Sequence, residues 1–347
     1  MPRKPGTAAE SRRLLDRLRA LSLDPPRQRE LAREIIATEN DMFALEAALN
    51  ALGDNLTPEE RPGLVGRFLV MDADGKRRDP GGHARATLIS ALRKVATQED
   101  AEIFERAVNT EEFSLQGGTA VLQAAGLLAL ADLEPERATL HAVRLLAGGG
   151  GRQTPEPALS AARLLAAGDE VLPLYLFLLR ARDKEKGDIL AEALRGLRTL
   201  PGELLPAIFE TFSEHEDDIV LVGLCDLAIE HEPAGEPASF IRSLLRSTDR
   251  YEVYHYLATS IVASHRADLI ALLSEAAPTE TDRLKLQSLA DALDLIPGEP
   301  EIAAAAKQAR EKLADMPITF RRGDEGRPRP RRRPAASGDF EDDLGDD

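Results

Sequence analysis

Two stretches decide the fold: HARATLISALRKV (83–95) and GDILAEALRGL (187–197). In the first, Leu88, Leu92 and Val95 fall on one face at the i, i+4, i+7 spacing of an amphipathic helix, and in the second Leu190, Leu194 and Leu197 do the same. Working outward, the pattern returns at Val220, Leu224 and Leu227, and at Leu286, Leu289 and Leu293. No segment shows the strict apolar/polar alternation of a half-buried strand. Between the apolar runs sit Gly53-Asp54, Thr57-Pro58-Glu59-Glu60, Gly117-Gly118, Thr154-Pro155-Glu156 and Pro297-Gly298-Glu299-Pro300. A proline followed by glutamate suits a first helical turn, because proline lacks a donor that the turn leaves unpaired and glutamate complements the dipole.

The helices recur as pairs. First-helix segments are read at 44–52, 86–95, 120–130, 157–166, 189–197, 219–229, 253–262 and 284–293; second helices at 100–108, 137–147, 171–179, 203–212, 237–245, 267–276 and 301–313. Equivalent positions Leu92, Gly126, Ala162, Leu194, Leu224, Leu257 and Leu289 lie 34, 36, 32, 30, 33 and 32 residues apart. The first step, Leu49 to Leu92, is 43, and the excess falls on DADGKRRDPGG (72–82), read as an inserted loop. A two-helix period of this length is the signature of an α-solenoid. Small residues at the anchors let neighbouring units approach closely.

Over roughly 30–315 the chain resembles HEAT-like repeat proteins, on units such as HARATLISAL (83–92) and GDILAEALRGL (187–197). The resemblance implies an all-α fold, a right-handed α-solenoid of about seven to eight two-helix HEAT-like repeats. The expected organisation is a basic N-terminal extension with a first helix (1–29), the solenoid (30–320), and an Arg-rich then acidic tail (321–347) read as disordered. A non-repeating helical bundle is the alternative.

Composition narrows the function. The 347 residues include 44 Lys+Arg and 60 Asp+Glu, a net charge of −16, with 43% hydrophobic residues, 4% aromatics, no Trp and one Cys. One cysteine cannot form an internal disulfide, the aliphatic content can bury a core, and no apolar run approaches the ~18 residues that span a bilayer. The basic, polar N-terminus lacks the apolar stretch of a secretory signal, so the expected setting is cytoplasmic, without a membrane. Residues 1–29 carry eight bases and three acids, 321–333 seven arginines and two acids, and 339–347 six acids, which leaves 30–320 at −20. Nucleic-acid binding through the solenoid is disfavoured by that charge.

No phosphate-binding loop, HExxH, GxSxG or CxxC is present. The Asp72-Ala73-Asp74-Gly75 run fails as a calcium loop at Lys76, Arg77 and His83. His215-Glu216 and His231-Glu232 invite comparison with HEAT-repeat deoxyhypusine hydroxylases, whose four His-Glu pairs hold two irons. Two pairs only 16 residues apart read instead as polar helix ends, and no metal or other cofactor is expected. Cys225, within IVLVGLCDLAI (219–229), reads as a buried small hydrophobe.

The most unusual feature is electrostatic. Residues 199–241 contain ten acids and no Lys or Arg. Such a stretch steers a basic partner. The candidate partner-binding residues are Glu210, Glu214, Glu216, Asp217 and Asp218, together with Tyr251, Tyr254 and His255, which with Ala258 share a helix face opposite Val253, Leu257, Ser260 and Ile261. That tyrosine face either meets a partner or packs on the next repeat. The expected function is a non-catalytic protein-interaction scaffold whose partner has a basic surface. An intramolecular contact with the Arg327–Arg333 block is a further possibility. The alternatives are a metal-dependent enzyme using the His-Glu pairs, or a nucleic-acid-associated protein contacting phosphates through its Arg-rich tail.

Overall fold

The computed structural model describes residues 8–39, 41–53, 56–112, 118–150, 154–181, 185–232, 235–296 and 300–316. The tail at 321–347 lies outside the described residues, as do residues 54, 117 and 297–299 of the loops named above. Among the described residues the chain is all-helical, with nineteen α-helices and no strand.

The helices are α1 (Ala8–Ala20), α2 (Pro25–Thr38), α3 (Met42–Leu52), α4 (Arg61–Asp72), α5 (Gly75–Arg78), α6 (His83–Arg93) and α7 (Ala101–Val108). They continue as α8 (Ala120–Leu133), α9 (Pro135–Ala147), α10 (Ala158–Ala167), α11 (Val171–Arg180), α12 (Gly187–Arg195) and α13 (Leu205–Phe212). The last six are α14 (Asp218–Glu230), α15 (Gly235–Ser247), α16 (Tyr251–Ala263), α17 (Ala267–Ala276), α18 (Arg283–Leu293) and α19 (Pro300–Asp315). Every first-helix and second-helix segment expected from the periodicity falls on one of these helices.

Two rows emerge from the packing. α1, α3, α6, α8, α10, α12, α14, α16 and α18 touch in succession, and so do α9, α11, α13, α15, α17 and α19. First-row helices are buried on most sides: α14 buries Val220, Leu221, Gly223, Leu224, Cys225, Leu227, Ala228 and Ile229. Second-row helices bury one stripe, as α13 does with Leu205, Ile208, Phe209 and Phe212. Close approach in the first row uses residues without bulk. A Cβ on Gly223 would lie 2.7 Å from the Ala191 Cα of α12.

Three expectations are revised. The boundary at 29/30 falls inside α2, and α1 packs against α3 with Leu18 in the core, so the N-terminal helices belong to the stack. The 72–82 segment is not merely a loop: it contains α5, and its Asp72 and Asp79, with Glu112, close on Arg85, which has no exposed surface. Of the glutamates after prolines, Glu136 and Glu301 lie in the first turns of α9 and α19, while Glu60 and Glu156 lie just outside theirs. Glu60 precedes α4 and accepts from the Thr57 amide at 2.8 Å, while Glu156 precedes α10 and accepts from the Ser160 amide at 3.1 Å. Glu156 thereby satisfies an amide in the first turn of α10, whereas Glu60 closes the turn that precedes α4.

Candidate functional site

The base-free stretch 199–241 builds α13, α14 and the start of α15. Its ten acids divide by what surrounds them. Asp217 is half-buried and caps α14, accepting from the Ile219 amide at 2.9 Å. Asp218 receives Arg250 at 2.8 Å, and the same guanidinium nitrogen donates to the Glu216 carbonyl at 2.8 Å. Asp226 receives Arg195 at 2.7 Å and the Tyr256 hydroxyl at 2.5 Å. Burial, and then that hydrogen bond, push the Tyr256 hydroxyl above its usual pKa. The missing counter-charges are therefore supplied from neighbouring units. Arg195 lies 31 residues before Asp226 and Arg250 32 residues after Asp218.

The remaining acids face solvent. Glu203, Glu210, Glu214, Glu216, Glu230, Glu232 and Glu236 are exposed, and none has an ion pair among the described residues. Three of them, Glu210, Glu214 and Glu236, line a groove of about 640 Å³ between α13 and α15. Its floor is Phe209, Phe240, Leu221 and Leu244, with the two phenyl rings tilted at 52° and 5.4 Å apart. One wall is a serine stripe, Ser239, Ser243 and Ser247, repeating every four residues along α15. A second hollow of about 550 Å³ shares Pro206 and Glu236 with the first and adds Glu232, so the acidic groove extends past the start of α15. Arg250 stands at the far end, already engaged by Glu216 and Asp218.

The structure thus brings Glu210 and Glu214 together with Glu236, Phe209, Phe240 and the serines, none of which the sequence reading placed in the site. The signal existed in part, as serines at i, i+4, i+8. Their meaning depends on which helix α15 faces. Glu216, Asp217 and Asp218 do not line the groove; the latter two hold α14 and Arg250.

The tyrosine cluster lies elsewhere, on first-row α16. Tyr254 is fully buried, as is Ala258, so these two residues are not part of an exposed face. The reason is that a first-row helix has neighbours on both sides: Val253, Leu257 and Ile261 are buried on one, and Tyr254 takes the Lys285 ammonium of α18 over its ring at 5.2 Å on the other. Tyr251 is half-buried and stacks on the exposed His255 at 5.9 Å; both reach Ser288 of α18, His255 at 3.1 Å and Tyr251 at 3.3 Å. They join two helices of the first row and do not open on the groove.

The histidines of the His-Glu pairs are engaged by backbone. His215 Nδ1 accepts from the Asp217 amide at 3.0 Å, and His231 Nε2 meets the Leu197 carbonyl at 3.2 Å. Among the described residues no three His, Cys, Asp or Glu side chains gather as a metal site. Cys225 is fully buried in α14, and burial raises its thiol pKa, which disfavours the nucleophilic thiolate. No described helix is long and apolar enough to cross a membrane.

Compared with models of protein families, with curated proteins and with solved structures, the chain matches none.

Proposed function

We propose that the chain is a non-catalytic interaction scaffold, a right-handed HEAT-like α-solenoid of about seven to eight two-helix units working in the cytoplasm. It binds a basic segment of a partner protein in the α13–α15 groove. The observation that carries this reading is the pairing, in one groove, of an aromatic floor with the exposed, unpaired Glu210, Glu214 and Glu236. An apolar strip flanked by carboxylates complements a segment that presents apolar or proline surface with interspersed arginine. The carboxylates would raise the encounter rate and favour basic partners, and the floor would supply the desolvated contact. The two-row packing and the 30–36-residue spacing of the first-row anchors support the solenoid.

The test is titration of an arginine-rich peptide into the protein by calorimetry at low and high salt. Binding should weaken steeply with salt, as expected for exposed charges beyond a Debye length of ~8–10 Å. Reversing Glu210, Glu214 and Glu236 to Lys should cost at least about tenfold in affinity, since each like-charge juxtaposition opposes a basic ligand. Affinity unchanged by the triple reversal would rule out the groove as the site. Asp217 and Asp218 are left intact because changing them would unseat α14 and Arg250.

A further inference from the structure

The groove lies in the same row of helices as the C-terminal end of the described chain. α19 touches α17, α17 touches α15, and α15 forms one wall of the groove. At 8–10 Å between packed helices, that wall is about 20 Å from α19. Residues 317–326 separate the described chain from Arg327, and ten residues of extended chain span about 35 Å. The next seven residues, Arg327-Pro328-Arg329-Pro330-Arg331-Arg332-Arg333, hold five arginines and no acid. The two prolines fix their own φ and favour the polyproline II conformation, whose preformed surface suits aromatic-lined grooves. The groove offers that aromatic floor and, on its rim, Glu210, Glu214 and Glu236.

We infer that the segment Arg327–Arg333 docks in the α13–α15 groove of its own molecule, so that a partner's basic segment binds only by displacing it. This rests on the reading of the groove as a site for basic segments and adds its resident occupant. Prolines set the backbone over Phe209 and Phe240, and arginines reach the three glutamates. A tether of this length gives an effective concentration on the order of millimolar. A segment with an intrinsic Kd of about 100 μM would then fill the groove about nine-tenths of the time. It would weaken an external ligand about tenfold.

The experiment uses the full chain and a fluorescein-labelled peptide of sequence RPRPRRRP, read by fluorescence anisotropy at low salt. Three proteins are compared: wild type; a variant with Arg327, Arg329, Arg331, Arg332 and Arg333 each changed to Ser; and that variant with Glu210→Gln, Glu214→Gln and Glu236→Gln added. Circular dichroism checks that each remains folded, which the exposure of all the changed glutamates favours. The serine variant should bind the peptide about tenfold more tightly than wild type, and the added glutamines should abolish the gain. Equal affinity of wild type and serine variant, with the glutamates still required, overturns docking of the tail and leaves the groove reading standing. Such a result would also fit arginines held by the acids of 339–347. Peptide binding that ignores the glutamates overturns the groove reading and, with it, the tail docking. A gain that appears only where wild type sediments as a dimer places the tail in a neighbouring molecule's groove and overturns docking in cis.

Discussion

At the scale of single residues, the buried charges show how a chain so acidic keeps its interior balanced. Arg85 has no exposed surface, yet it donates to Asp72 at 3.0 Å, to Asp79 at 3.2 Å and to Glu112 at 2.8 Å. Burial works against its charge, but those hydrogen bonds outweigh it and hold its pKa above the usual arginine value. Gly75 belongs to the same arrangement, because a Cβ there would collide with the guanidinium and with Glu112. Glu60 is the mirror case. Burial pushes its carboxyl upward, yet hydrogen bonds from Arg29, Thr57 and Arg33 prevail and hold it at about 2, against an ordinary value of 4.5. A depressed carboxyl stabilises the fold above the unfolded pKa, and that contribution fades as pH falls through the folded one. Denaturant titrations between pH 4.5 and pH 2 should therefore show a loss of roughly 2–3 kcal/mol from this group. Glu60→Gln should be less stable at neutral pH and flatter across that window. An unchanged slope in the variant would assign the acid sensitivity to other carboxylates.

At the scale of helices, the two rows have different requirements. α8 sits between neighbours and buries Leu122, Ala124, Gly126, Leu127, Ala129 and Leu130. Gly126 is there for contact: a Cβ on it would lie 2.8 Å from the Ala107 Cβ, 2.8 Å from the Val108 amide nitrogen and 2.9 Å from the Phe104 carbonyl of α7. Gly66, in exposed α4 backbone, has nothing within 4 Å of the equivalent point. Alanine is the better helix former by about 1 kcal/mol at either position. The structure predicts opposite signs nonetheless. Gly66→Ala should gain about 0.5–1 kcal/mol, while Gly126→Ala should lose about 1–3 kcal/mol through overpacking. Thermal or urea denaturation of the two variants checks this, and gains at both sites would contradict the tight α7–α8 contact. Tyr254 makes the same point from the other direction. Helical periodicity assigns it a face, but only the presence of α18 decides that the face is interior.

At the scale of the molecule, polar contacts join one helical pair to the next. Arg61 reaches Asp100, Arg93 reaches Asp132, Arg195 reaches Asp226 and Arg250 reaches Asp218, across 39, 39, 31 and 32 residues respectively. The last two separations fall within the 30–36-residue apolar spacing, and the first two exceed it by a few residues. Packing between successive row members predicts that damage stays local. Leu289→Ala, at a fully buried position in α18, should cost about 2–5 kcal/mol. Hydrogen exchange should quicken in α16 to α19 and stay unchanged in α6 to α8. Uniform acceleration along the chain would indicate a single cooperative core instead.

From α6 onward the helices, their approximate ends and their alternation were legible in residues such as Leu88, Leu92 and Val95, because helical periodicity is a local property carried by every turn; α2, α4 and α5 were not read. The acid excess of 199–241 was legible as well, since charge is counted without knowing a contact. What only the tertiary structure decided is which of those acids are free. Asp218 and Asp226 are matched by arginines about thirty residues away, whereas Glu210, Glu214 and Glu236 converge on one groove because α13 and α15 pack side by side. Local periodicity sets which way a side chain points along its own helix. Whether it then meets solvent, a counter-charge or another carboxylate depends on the neighbouring helix, and that is a property of packing.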